Sequence, residues 1–193
     1  MSQFSTYFEL GYQHILDILG YDHILFVIAL CAIYQAQDWK KVLILITAFT
    51  IGHSVTLALS TLNLVNFRTD IIEFLIPVTI FITAFSNLLK KNGSPPAKFS
   101  SNYFYALFFG LIHGLGFSNY LKSLLGREES ILTPLLGFNL GLELGQIIIV
   151  IFFIITSFVF VGLFNVAKRD WILVVSSAVA GIAITMMIET KFW

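Results

Sequence analysis

The sequence predicts an all-α, polytopic membrane protein: a bundle of about six transmembrane helices with the N- and C-termini outside. Three observations lead there. Hydrophobic residues make up 58% of the 193 residues and charged residues only 11%, where a soluble domain carries about 25% charged residues. The apolar residues fall into runs near the ~20 residues needed to cross a bilayer core. Lysine and arginine are distributed unevenly between alternate connections, as expected of a chain with a fixed orientation. Twenty phenylalanines suit a lipid-facing surface.

Taken in order, the spans fall at approximately 15–34, 42–62, 71–89, 102–125, 134–163 and 171–189, all within one transmembrane domain over 1–193. The fifth is long enough to begin with a surface segment. Connections are short, and "KKNGSPPAK" (90–98), with its glycine, serine and two prolines, is the clearest loop. The opening "MSQFSTYFELGYQHILD" has no basic n-region and no small-residue cleavage site, so it is expected to be mature protein and not a signal peptide. Lys40, Lys41, Lys90, Lys91, Lys98, Lys168 and Arg169 fall on one side; Arg68, Lys122, Arg127 and Lys191 fall on the other. The richer side is expected to be cytoplasmic, which puts both termini outside.

Composition also excludes. A net charge of zero leaves no basic footprint for nucleic acid. The single cysteine, Cys31, rules out an internal disulfide and a Cys-cluster metal site, and reads as apolar filler.

Against this apolar background, ionisable residues stand at similar depths. His23 lies eight residues into the first span, about 12 Å at 1.5 Å per residue. His53 lies nine residues from the outer end of the second (about 14 Å), and His113 twelve from the outer end of the fourth (about 18 Å). Glu143 lies nine residues into the fifth, about 14 Å. Faces are coherent: Asn139, Glu143 and Gln146 follow i, i+4, i+7, and Thr50, His53 and Ser54 share a face with Thr47 one turn before. Such stripes must face protein or a wet cavity, because unsatisfied polar groups in lipid are costly.

Asp17, Asp22, Glu73 and Glu143 lie in or near spans whose interiors hold no lysine or arginine. Buried carboxylates without a basic partner take a proton or bind a cation. Imidazole beside carboxylate, without thiolate, suits a divalent transition metal such as Ni, Co or Zn; the lack of Met-rich and Cys-rich stretches argues against copper(I). The expected ligands are His23, His53, His113, Asp22 and Glu143. His14 and His23 are nine residues apart, about 13.5 Å and half a turn out of phase on an unbroken helix. Two stations are therefore expected, with His14, Asp17 and Glu73 at an outer mouth, unless the helix breaks, for which Gly20 is the obvious place. Glu73 also suits a helix N-terminus. Single intramembrane histidines serve equally as hydrogen-bonding glue. Ser54 reads as a bonder to its own helix backbone, and Asn139 and Gln146 as structural hydrogen-bonders. Gly137, Gly141 and Gly145, with Gly110 and Gly114, form small-residue stripes that mark close helix packing around the fourth and fifth spans.

The stretches "GYDHILFVIAL", "FTIGHSVTLAL", "IIEFLIPVTIF" followed by "SNLL", "FGLIHGLGFS" and "FNLGLELGQ" together resemble the HupE/UreJ family of bacterial membrane proteins. They occur in the family's order and cover most of residues 11–150; the last span matches only by hydrophobicity. The family is associated with hydrogenase and urease clusters and is regarded as a nickel, or nickel and cobalt, permease. The resemblance implies an inner-membrane, multi-pass location and sets Asp22, His23, His53, His113 and Glu143 on motif positions. Related nickel permeases are similar in carrying His, four residues, then Asp-His. Here Asp17 stands at that first position, with His14 one turn earlier, which leaves the metal open.

Two functions are consistent with these residues. In a permease the ion enters past His14, Asp17 and Glu73, meets the deeper ligands, and leaves inward. With no inverted repeat visible, a homo-oligomer is one source of the remaining pathway. In a zinc-dependent membrane hydrolase three histidines hold the metal, Asp22 or Glu143 is the general base, and Ser54 is the candidate nucleophile. A third reading, an accessory subunit with a purely structural polar core, predicts no bound metal.

Overall fold

The computed structural model describes residues 2–90, 101–125 and 130–193. Among these residues the chain is all-helical, with seven α-helices: α1 (Gln3–Leu16), α2 (Asp22–Cys31), α3 (Trp39–Thr61), α4 (Thr69–Leu89), α5 (Ser101–Leu125), α6 (Leu132–Ser157) and α7 (Lys168–Glu189). A 3-10 turn at Ala36–Asp38 leads into α3, and a π-helical turn at Phe158–Leu163 extends α6. Four of these segments are long and apolar enough to cross a membrane: Ala36–Thr61, Thr69–Leu89, Leu132–Leu163 and Lys168–Glu189. Helix α2 is short and apolar, and α5 is long but carries more tyrosine, asparagine and serine. Most of the expected loop at 90–98, with Lys91 and Lys98, and Arg127 lie outside the described residues.

The largest departure from expectation is the first span. Residues 15–34 do not form one helix. The polar opening of the chain is itself helical, capped by the Ser2 hydroxyl, which accepts from the Ser5 amide at 3.3 Å. The helix stops at Asp17, whose Oδ1 accepts the Leu19 amide at 2.9 Å and so turns the chain outward. Ile18, Leu19, Gly20 and Tyr21 are exposed, and α2 restarts with Asp22 as its N-terminal acid. The break falls at the expected place, but Gly20 is not forced into a left-handed conformation, and a Cβ there would meet only the Asp17 carboxylate at ordinary contact distance. The aspartate turns the chain. The glycine merely allows it.

Two glycine-packed helix pairs form the frame. Cβ atoms added at Gly137 and Gly141 of α6 would strike the backbone carbonyls of Phe4 and Phe8, and one at Gly145 would strike Ile15, so α1 runs alongside α6 in the same direction. Likewise Gly110 and Gly114 of α5 abut the carbonyls of Phe49 and His53, while Gly52 of α3 abuts Leu107. The stripes expected to mark packing around the fourth and fifth spans thus each take a different partner. Such contacts let backbones approach closely enough for dispersion to replace the hydrophobic drive that lipid cannot supply.

Helix α4 lies against α7. Arg169 donates to the carbonyls of Asn87 (3.3 Å) and Leu88 (2.7 Å), capping α4. Lys168 and Gln35 line one recess at the same end, where Lys41 pairs with Asp38 at 2.6 Å. At the opposite end, Trp193 packs on Phe74 (5.0 Å between rings), and Arg68, bonded to Asp70, lies over Phe192. The basic residues of one set therefore gather at one end of the bundle, and the C-terminus lies at the other.

Candidate metal centre

His113 is the central residue of α5 and Thr79 the central residue of α4, and they meet at 3.0 Å. This fixes the level of the site at the middle of a membrane-length helix. The His23 ring lies 5.2 Å from that of His113, 4.7 Å from His14 and 6.0 Å from His53; His14 and His53 are 6.5 Å apart. Two groups of ligand atoms lie within 4.8 Å of one another: His14, His23 and His53, and Asp22, His23 and His113. His23 belongs to both.

Hydrogen bonds assign the free lone pairs. Asp22 Oδ1 accepts from the His23 amide (2.9 Å) and faces His23 Nδ1 at 3.0 Å. A carboxylate only accepts, so Nδ1 carries the proton and Nε2 the lone pair. The Thr79 hydroxyl donates its single proton to the Ile76 carbonyl at 2.7 Å. It therefore accepts from His113 Nε2–H, which leaves the His113 lone pair on Nδ1. Both lone-pair nitrogens are buried without a partner, as are His14 Nε2 and both ring nitrogens of His53.

A buried polar atom left unpaired costs about 1–3 kcal/mol. Five such nitrogens in one place together approach the whole ~5–15 kcal/mol stability of a typical domain. These nitrogens are therefore the atoms of the cluster that are available to a ligand.

The walls are aromatic. Phe117 lies 4.0 Å and Phe138 5.7 Å from the His14 ring; Phe138 stacks on His53 at 6.1 Å; Phe49 and Phe26 lie 5.2 and 5.1 Å from His113. Apolar walls restrict solvent access to the site, although His14 and Asp22 are only half-buried. Nothing in the sequence sets these phenylalanines apart from other apolar residues, although all four, Phe26, Phe49, Phe117 and Phe138, belong to the motif stretches. Thr79 gave no signal, since a threonine in "IPVTI" is indistinguishable from packing.

Of the two alternatives for the first span the broken helix holds, and His14 lies with His23 instead of at a separate outer mouth. The outward turn at Asp17 spends the chain length that separates it from His23, and the two rings meet. Asp17 is exposed and occupied with the Leu19 amide, and Glu73 is exposed near the start of α4; neither is grouped with the imidazoles. Glu143 Oε1 accepts the Thr47 hydroxyl at 2.6 Å and lies outside both groups. Gln146 Oε1 accepts from Thr50 (2.9 Å), and Asn139 donates to the Leu135 carbonyl (2.8 Å). The Ser54 hydroxyl donates to the Thr50 carbonyl at 2.6 Å, so it is engaged with its own helix and not with a base. The hydrolase reading gains no support from this arrangement. Cys31 is buried in the apolar core.

No curated protein and no solved structure matches the chain. A family model described as HupE / UreJ protein matches residues 1–191. With that match over nearly its full length, the chain belongs to the HupE/UreJ family.

Proposed function

We propose that this protein is an inner-membrane permease for a divalent transition metal, nickel or cobalt before zinc, which it takes up as substrate through the cage of His14, His23, His53 and His113 with Asp22. The observation that carries this reading is the convergence of five unpartnered imidazole nitrogens at the mid-length of α4 and α5. The family assignment supports a metal-related membrane role. In this reading α1 and α2 are two half-helices of one broken crossing, giving six crossings in a single transmembrane domain with both termini outside. Discontinuous helices that meet at mid-bilayer are a recurring way to build transporter sites, because the break frees polar groups and lets the walls move. The basic end around Lys41, Lys168 and Arg169 is then the cytoplasmic face.

Each residue has a part. Asp22 holds His23 in the tautomer that offers Nε2, and Thr79 does the same for Nδ1 of His113. His14 and His53 close the cage from α1 and α3. Only neutral imidazole binds metal, so protons compete with the ion and acid favours release.

The test is metal analysis of the purified chain with and without His53→Ala, followed by uptake of the same ion into liposomes. The wild-type chain is expected to carry nickel or cobalt and to move it, and His53→Ala to lose both. A wild-type chain that retains the ion tightly but shows no flux sinks the permease reading.

A further inference from the structure

From His53 toward the basic end of the bundle, helix α3 carries Thr50 and then Thr47, about 4.5 and 9 Å along the axis at 1.5 Å per residue. Both reach across to α6. Thr50 donates to Gln146 and Thr47 to Glu143, at 2.9 and 2.6 Å. Gln146 is fully buried, and its Nε2 has no partner. Exchanging the amide's O and N would instead leave a buried carbonyl oxygen free, so one end of this side chain is orphaned either way. Glu143 is half-buried, and no lysine or arginine pairs with it among the described residues. The stripe is more polar than helix packing needs, and it points from the cage toward Lys40 and Lys41.

The chemistry of the two places differs. The cage offers imidazole nitrogens, which suit nickel, cobalt and zinc. The stripe offers a carboxylate, two hydroxyls and an amide oxygen, which hold such ions more weakly. A conducting pathway needs this gradient, since an ion bound only by the strongest site does not leave.

Building on the permease reading above, we infer that Glu143, Thr47, Thr50 and Gln146 form a second, oxygen-donor station that receives the divalent cation from the histidine cage on its way to the inner face. Glu143 is its charged ligand. Thr47 holds the carboxylate while the station is empty and turns its hydroxyl oxygen to the ion when it arrives.

The experiment separates binding from flux. Full-length wild type, Glu143→Gln and Thr47→Val are purified in detergent for cobalt binding, followed by the ligand-field absorption of Co(II), and reconstituted in liposomes for cobalt uptake. The inference expects Glu143→Gln to keep the wild-type cobalt spectrum and an affinity within about threefold, while uptake falls at least tenfold. Thr47→Val is expected to lower uptake less, and Thr47→Ser to restore it. Unchanged melting temperatures exclude misfolding as the cause. Normal uptake by Glu143→Gln overturns the second station. Loss of the spectrum in Glu143→Gln overturns it too, by making Glu143 a ligand of the cage. Absence of uptake by the wild type instead removes the permease reading beneath it.

Discussion

The pair α3–α5 and the broken pair α1–α2 deliver histidines to the same place by different means. Helices α3 and α5 are continuous, run in the same direction in glycine-mediated contact, and each contributes one ring, His53 and His113. The segment α1–α2 contributes two, His14 and His23, because Asp17 turns the chain outward and Asp22 restarts it. A continuous helix puts rings nine residues apart at about 13.5 Å; here their centroids are 4.7 Å apart. Intact helices set the depth of the site, and the broken one doubles the number of imidazoles there.

The continuous and the broken helices depend on one another most at His23, the ring common to both groups. His23→Ala is expected to weaken nickel or cobalt binding by well over the ~100-fold upper range seen for removing a ligand's supporting partner, and by more than His14→Ala. Equilibrium binding on the two purified variants checks this. Equal losses from both would mean that the two groups do not share a centre.

Asp22→Asn tests the restart of the broken helix rather than its ring. The amide can donate as well as accept, so it no longer fixes the His23 tautomer, and affinity should fall about 10–100-fold. Thermal stability should change little in the metal-free protein. A parallel loss in Thr79→Val, which frees the His113 tautomer, would show that continuous and broken helices orient their rings in the same way.

The smallest effect is expected at Gly20. Gly20→Ala should leave binding within about twofold and stability within the ~0.5 kcal/mol typical of surface changes. Asp17→Ala, which removes the turn-forming acceptor, should cost about 0.5–1.5 kcal/mol in a denaturation experiment. The reverse order would make glycine flexibility, not the aspartate turn, the cause of the break.

Much of the site was legible because membrane physics makes polar residues conspicuous. His23, His53, His113 and Asp22 stood out against leucine and phenylalanine, and they converge. His14 is equally conspicuous, but helical periodicity, which assumes continuity, places it at the mouth; the five residues from Asp17 to Tyr21 suspend that periodicity. Helix α1 is hidden in the sequence, because Ser5, Thr6, Glu9 and Gln13 give it a polar face that reads as a tail. Position along the sequence puts Glu143 at the level of the cage, while in space it accepts the Thr47 hydroxyl.

By itself, the sequence determined that this chain lives in a bilayer, that its helices pack through glycine stripes, and that imidazoles and carboxylates without basic partners lie within it. Those properties are local: hydropathy, periodicity and charge are carried by each residue wherever the helix goes. Only the tertiary structure decided that His14 joins His23, that Thr79 fixes the His113 lone pair, and that Glu143 stands apart. These depend on how far one helix lies from another and where a chain turns, and such distances arise from packing between segments that the linear order keeps far apart.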